Sequence, residues 1–515
     1  MHQSSFETSL HHSSFETSLH QSSFETSMHH SHFATSLHDV PLSFPPLSST
    51  IVIFRRVVLL AAIAAAVSSP LAAQSAPIAT RYRAAADSLI DAALKDSAAW
   101  NRLAKLTDTF GNRLSGSRSL ESAIDWALGE MKRDGLDEVR GEAAMVPHWV
   151  RGEESLALVS PRSAPLRMLG LGGSIATPKK GITAPVIVVG SFDELTTRAA
   201  EAKGKIVVFD VPFTSYRETV AYRVGGASAA AKVGAVAALV RSVTPMSFRT
   251  PHTGNMRYDS TVAKIPTAAI TVEDALMMRR MLDRGDKVVV TLKMSARTLA
   301  PSPSRNVVAE VRGSEKPDEV VLISGHFDSW DVGQGAMDDG GGAVAAWEAV
   351  RLIKKLGLKP RRTVRVVLWT NEENGGAGGK AYRDAHRADV DKHLLAIESD
   401  NGVFKPRGVA FTGTDSATAV IRQVAALLDR IGAGGVVADG GGSDIEPLMT
   451  LGVPGMSPDV DESRYFWYHH TEADTMDKLD PHEVALCVAT MAVMAYVVAD
   501  LPDPLPHGAR PARPL

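Results

Sequence analysis

Between Arg81 and Gly135 apolar side chains recur every three or four positions, at Leu89, Ala92 and Ala93, at Leu103, Leu106 and Phe110, and at Ile124, Leu128 and Met131. That spacing predicts amphipathic helices, with Gly135 as a stop. From about Leu156 the texture changes to short β-rich runs, Val186 to Val189, Ile206 to Phe209, Ala237 to Val240 and Val288 to Leu292, separated by Gly, Pro and Lys turns. Such runs predict a second, β-rich domain inserted over residues 156–300. It is expected to close at a proline-rich linker, Pro301 to Ser304. Beyond it, continuous apolar runs at Val320 to Ser324, Val364 to Thr370 and Leu394 to Glu398 read as strands buried on both faces. A helix follows the first of them, with Val344, Trp347, Val350 and Ile353 along one face, Lys354 and Lys355 in its last turn and Gly357 as its end. Strands alternating with helices predict an α/β fold with a mostly parallel, mixed sheet flanked by helices. The main domain is then built from a helical first part, residues 76–155, and a second part, residues 301–502. A proline-rich loose tail is expected over 503–515.

The first fifty residues fit neither pattern. A nine-residue unit rich in Ser, Thr and His repeats four times, from His2, His11, His20 and His29, and it holds too few aliphatic residues to build a core. Eight of the 17 histidines lie there, so the segment reads as low complexity rather than as a metal tract. After it, Arg55 and Arg56 precede an apolar stretch from Val57 to Val67 and small residues around Ala72 and Ala73. Eleven apolar residues are too few to cross a bilayer, so 51–75 reads as an export signal peptide and no membrane anchor is expected in the mature chain. Translation is expected to start near Val52, and the mature protein near Gln74 to Ala76.

Composition narrows the picture further. The chain has 515 residues, 44% apolar and 22% charged, and a formal net charge of -3, so no excess of one sign is present to hold a nucleic-acid backbone. The single cysteine, Cys487, lies in an apolar run from Val484 to Tyr496 that reads as a buried helix, which excludes intrachain disulfides and thiolate metal sites.

In open α/β sheets, ligands bind beyond the carboxyl ends of the strands. Each such end here carries acids or histidine: His326 and Asp328 with Asp338 and Asp339 after the first strand, Glu372 and Glu373 after the second, Asp400 after the third, and His469 and His470 late in the chain. Taken singly, each is explained as a cap, a turn or a solvated pair. Taken together they form a set of two histidines and three carboxylates that suits zinc. One bridging Asp would let five side chains supply three ligands to each of two ions. Asp328, two residues after His326 on an extended segment, points to the same side and is expected to accept the proton of the second imidazole nitrogen. The glycine runs Gly340 to Gly342, Gly375 to Gly379 and Gly440 to Gly442 lack a Gly-Lys-Ser/Thr ending and read as tight turns around the site rather than phosphate loops. Asp474 and Thr475 are expected to cap the segment on their carboxyl side. The aromatic run Tyr465 to Tyr468 is open between substrate wall and core.

The stretch Gly325 to Gly340, with Asn371-Glu-Glu373, Glu398-Ser-Asp400 and His470 to Thr475, resembles the co-catalytic zinc aminopeptidase family. Gly170 to Ser174, Thr219 to Arg223 and Arg249 to Gly254 are similar to the protease-associated domain inserted in one branch of it, so the resemblance covers roughly Arg81 to Pro502. It implies two zinc ions per chain, one on His326, Asp338 and Asp400 and the other on Asp338, Glu373 and His470. It implies Glu372 as general base, and a cis peptide between Asp338 and Asp339. Many relatives have tyrosine where this chain has His469, which is expected to take over hydrogen bonding to the tetrahedral intermediate. The implied activity is exopeptidase action on dipeptides or short peptides, and the inserted domain is expected to wall the cleft and to support a homodimer. Two other readings stand beside it: a metal-free receptor of the same fold, and a metal-dependent amidohydrolase acting on N-acyl amino acids. A free amino end would need a spare carboxylate near the metals and a free carboxylate an arginine or lysine, and the sequence places neither.

Overall fold

The computed structural model describes residues 78–507; the nine-residue repeat and the expected signal peptide lie outside these residues. After three helices, Ile78–Lys95, Ala98–Phe110 and Arg118–Arg133, the chain enters strand β1 (Asp137–Val150). It then builds β2 (Glu154–Ser160), β3 (Ala164–Leu166), β4 (Met168–Gly170), β5 (Ile182–Val189), β6 (Ile206–Phe209), β7 (Ala237–Arg241), β8 (Thr267–Ile270) and β9 (Val289–Met294). The remaining strands are β10 (Arg297–Val311), β11 (Lys316–His326), β12 (Arg362–Trp369), β13 (His393–Glu398), β14 (Pro406–Thr412), β15 (Gly435–Val437) and β16 (Gly455–Val460). Two sheets result, in the orders β1-β10-β12-β11-β13-β16-β14-β15 and β3-β2-β9-β5-β6-β7-β8-β4. In the first, β12, β11, β13 and β16 run parallel, so their carboxyl ends meet on one side. It is the mixed α/β sheet that the run pattern predicts.

Two of the helices that cover this sheet are buried almost all round. The helix Gly341–Lys355 is buried from Gly341 to Val350 and again at Leu352 and Ile353, more completely than its one-faced apolar stripe predicts. It packs against both the sheet and the helix Pro481–Asp500, which also lies on the sheet. That last helix is long and apolar enough to cross a membrane by length and composition, but 89% of its 18-residue apolar stretch is buried inside the protein. Asp480 starts it by accepting from the amides of His482 and Glu483, with Pro481 in the first turn, where a missing N–H costs nothing. Cys487 is buried on this helix and donates to the Phe404 carbonyl, which leaves the thiol as a packing group.

Three expectations are corrected. The first part of the main domain is not wholly helical, since β1 occupies Asp137–Val150. Pro301 to Ser304 is no linker but lies within β10, whose first half pairs only with β1. Proline fits there because the side without a partner needs no N–H. The tail does not begin loose, because Leu505 is buried against the main core; 508–515 lie outside the described residues.

Candidate metal centre and active site

His326 is the last residue of β11, Glu372 and Glu373 follow β12, and Asp400 follows β13. The parallel register therefore sets them side by side. Asp338 comes from the loop that returns over the sheet, and His469 and His470 follow the one-turn helix Tyr465–Tyr468. The five ligand candidates converge around the carboxylate of Asp338. Its Oδ1 lies 3.2 Å from Nε2 of His326, which in turn lies 3.2 Å from Oδ1 of Asp400. Its Oδ2 lies 3.4 Å from Nε2 of His470, which lies 3.1 Å from Oε2 of Glu373. One carboxylate thus faces two separate imidazole–carboxylate pairs.

The imidazoles are oriented from behind. Nδ1 of His326 donates to the backbone carbonyl of Asp328 at 3.0 Å, and Nδ1 of His470 to that of Thr253 at 3.3 Å. Each Nε2 then presents a lone pair to carboxylate oxygens, an arrangement that repels unless positive charge lies between. Burial alone would lower the pKa of His326, yet Asp400 and Asp338 raise it well above the usual histidine range. Burial, and then Asp338, pushes Glu373 well above the carboxylate range. Oδ2 of Asp338 is buried without a hydrogen-bond partner. Positive charge held among these donors would answer all of these demands, and nitrogen and oxygen donors are of the kind zinc takes.

The expected role of Asp328 is corrected. Its carboxylate stands 3.8 Å from Nδ1 of His326, too far for a hydrogen bond, because the backbone carbonyl of the same residue fills that position. The carboxylate instead accepts from the amides of Glu372 at 3.0 Å and Glu373 at 3.4 Å, so it positions the two glutamates. Asp474 is corrected likewise. Rather than capping the segment on its carboxyl side, it accepts from the amides of Ala336, Met337 and Asp338 at 3.1, 2.7 and 3.2 Å. Thr475 makes no cap bond either.

Several supports have roles that the sequence does not assign. Asp339, joined to Asp338 by the cis peptide, accepts from the amides of His326 at 2.9 Å and Gly342 at 3.0 Å. A Cβ at position 342 would lie 2.3 Å from Oδ1 of Asp339, so this carboxylate fits only beside glycine. Arg113, fully buried, donates to the carbonyls of Gly111, Phe327, Gln334 and Gly335 and so ties down the loop between His326 and Asp338. Asn371 and His470 are non-glycine residues at positive φ, 68° and 62°, in the site itself.

The centre opens into a cleft of about 280 Å³ lined by Glu372, Asn401, Ser443, Tyr465, Phe466 and His469 among others, with Tyr216 and Arg223 of the second sheet's helix Tyr216–Lys232 on the facing wall. Tyr465 and Phe466 therefore serve as cleft wall and, for Tyr465, as core too. Burial, and then Asp400, pushes the Glu372 carboxyl up to about 7. His469 stacks on His470 at 3.5 Å between ring centroids, and Nε2 of His469 lies 3.6 Å from Oδ2 of Asp338. Burial brings its pKa down to about 4, which leaves a neutral imidazole. Asp338, His469 and His470 stand close enough to share an ion, as do His326, Asp338 and Asp400, and Glu373 joins the first group through Nε2 of His470. A second cavity, of about 230 Å³, lies by Pro317, Asp318 and His393 at the opposite ends of the strands, and none of the candidate site residues lines it.

Residues 306–495 match the model of peptidase family M28. The chain is 52% identical over 408 residues to carboxypeptidase Q of Mus musculus, covering 79% of this chain and 87% of that one. It is 52% identical over 429 residues to carboxypeptidase Q of Xenopus laevis, covering 83% and 92%. The solved structure of a peptidase M28 precursor from Shewanella amazonensis SB2B, 37% identical, superposes with a TM-score of 0.80 and covers 84% of this chain and 100% of that one. Fold, centre and relatives together define a metallo-exopeptidase. The chain belongs to peptidase family M28.

Proposed function

We propose that this chain is a zinc-dependent exopeptidase that hydrolyses dipeptides or short peptides, with two zinc ions per chain and Glu372 as general base. The observation that carries this reading is the Asp338 carboxylate, whose two oxygens face two separate imidazole–carboxylate pairs. His326, Asp338 and Asp400 would hold one ion, and Asp338, Glu373 and His470 the other. Bound zinc would supply Lewis acidity to the peptide carbonyl and to the attacking water.

The chain's own groups do the rest. Asp328 holds the amide of Glu372, which aims the carboxylate into the cleft. Glu372 takes a proton from the water as its oxygen bonds to the peptide carbon. It returns that proton to the amine as the C–N bond breaks. A carboxyl with a raised pKa suits both halves of this transfer. His469, neutral and in the cleft wall, can donate an N–H to the developing oxyanion. Export rests on the sequence pattern at 51–75, and the second sheet is read as a protease-associated domain on the motifs Gly170 to Ser174, Thr219 to Arg223 and Arg249 to Gly254.

The test separates base from ligand. Glu372→Gln keeps shape and leaves the ligand set whole, so zinc is expected to stay near two per chain while turnover of a dipeptide falls roughly 10²- to 10⁴-fold. Glu373→Gln is expected to lose zinc and activity together. Elemental analysis beside turnover decides: near-normal activity in Glu372→Gln, or zinc loss equal to that of the Glu373 variant, would refute the assignment.

A further inference from the structure

Arg223 is 6% exposed, lines the cleft beside His470, and forms no ion pair among the described residues. Other buried arginines are matched. Arg362 pairs with Glu319, Arg151 with Asp331 at 2.6 Å, and Arg113 has four carbonyls. Arg223 has the Thr253 carbonyl, 3.3 Å from Nη1, and the Tyr216 hydroxyl, 2.6 Å from Nη2; Nη1 also lies 3.3 Å from Nδ1 of His470, which is already turned to the Thr253 carbonyl, and the Nε is buried with no partner. A buried guanidinium whose donors are left over is costly unless an anion completes it.

Its position is also fixed. A Cβ at residue 254, where φ is +138°, would lie 2.4 Å from the guanidinium carbon, so the group occupies a slot that only glycine leaves open. Because the Tyr216 hydroxyl accepts from Arg223, its own proton is free to donate toward the same space. The fork of an arginine matches the two oxygens of a carboxylate, and a carboxamide cannot replace that charge.

We propose that Arg223, with Tyr216, binds the free α-carboxylate of the substrate, so that the centre cleaves the last peptide bond of short peptides with an unblocked carboxyl end. This rests on the exopeptidase reading above and names the residues that would select a free carboxyl end. The carboxylate sits on the second sheet's wall of the cleft, and the departing amine belongs to the amino acid that Arg223 holds.

The zinc-loaded enzyme should be assayed on the best-cleaved neutral dipeptide of a panel, on its C-terminal amide and on its N-acetyl form. Wild type is expected to prefer the free acid over the amide by about 10² in kcat/KM. Arg223→Gln should bring that ratio close to one by losing activity on the acid alone, with zinc content unchanged and amide turnover within a few-fold. Arg223→Lys, which keeps the charge without the fork, and Tyr216→Phe should give intermediate ratios, and they carry the test if the Gln variant does not fold. A wild type indifferent to amidation overturns the proposal. So does an equal loss on acid and amide, which would assign Arg223 to His470 or the oxyanion instead. If wild type cleaves none of the three forms, the exopeptidase reading fails first and this proposal with it.

Discussion

His252 lies buried next to the centre, its amide held by Ser242 and its Nδ1 without a partner. Burial, and then the His469 imidazole, lowers its pKa to about 3. An unfolded histidine titrates near 6.5, so between pH 6.5 and 3 the unfolded chain binds a proton that the folded one refuses. Stability therefore falls as pH drops through that window, by up to about 1.4 kcal/mol per pH unit from this residue. His252→Gln removes the term and is expected to lose about 2 kcal/mol less than wild type between pH 7 and pH 5. Urea unfolding at the two pH values measures it, and identical losses would show that His252 is not held neutral. Asp474 makes a second residue-scale case. Its carboxylate holds three amides of the loop that carries Asp338, and an Asn side chain would turn its NH2 against one or more of them. Asp474→Asn is expected to weaken zinc binding roughly 10- to 100-fold while leaving Glu372 in place. Chelator competition reads this directly, and unchanged affinity would mean that the Asp338 loop holds its place without Asp474.

At the scale of elements, what the sequence made legible is what lies close along the chain. His326, Glu372, Glu373 and Asp400 sit at strand ends or within a few residues of them, so recognising an apolar run was enough to place them. Arg223 and His470 are 247 positions apart and meet only through tertiary packing, which no local pattern encodes. The same holds for Arg113 and Asp474, which read as ordinary polar residues until the loop between them is closed. β1 and the first half of β10 were missed for another reason: a two-stranded ribbon carries no double-sided apolar run, and its prolines imitate a linker. The junction of the two sheets also depends on a distant fit. A Cβ at Gly172 would lie 2.1 Å from the ring of Trp330, which packs at 5.5 Å from His470 and whose amide donates to Glu373. Gly172→Ala is expected to cost about 1–3 kcal/mol and to lower activity by shifting Trp330 against the centre. Thermal unfolding beside turnover checks both, and a variant indistinguishable from wild type would mean that the indole has room to move.

For the whole molecule, the two sheets keep separate cores. The apolar cluster under the main sheet draws on 82–136 and 307–505 and on no residue of β2 to β9. Two further clusters lie entirely within 156–294 and 171–269. The chain leaves the main sheet at Val150 and returns at Arg297, and these two residues are register partners in the β1–β10 ribbon. A short turn could therefore join them without displacing a core side chain. Yet the second sheet's segment supplies the Thr253 carbonyl that fixes the His470 imidazole, and the Arg223 and Tyr216 wall of the cleft. Replacing 152–295 by a two-residue turn is thus expected to leave a cooperatively unfolding main domain with an intact set of five donors. Zinc affinity should fall because His470 loses its orienting carbonyl, and dipeptide hydrolysis should drop by more than zinc loss explains when zinc is supplied in excess. Circular dichroism with thermal melts, zinc titration and turnover at saturating zinc separate these terms. If the shortened chain hydrolyses dipeptides at the wild-type rate once zinc is restored, the second sheet is not part of the active site.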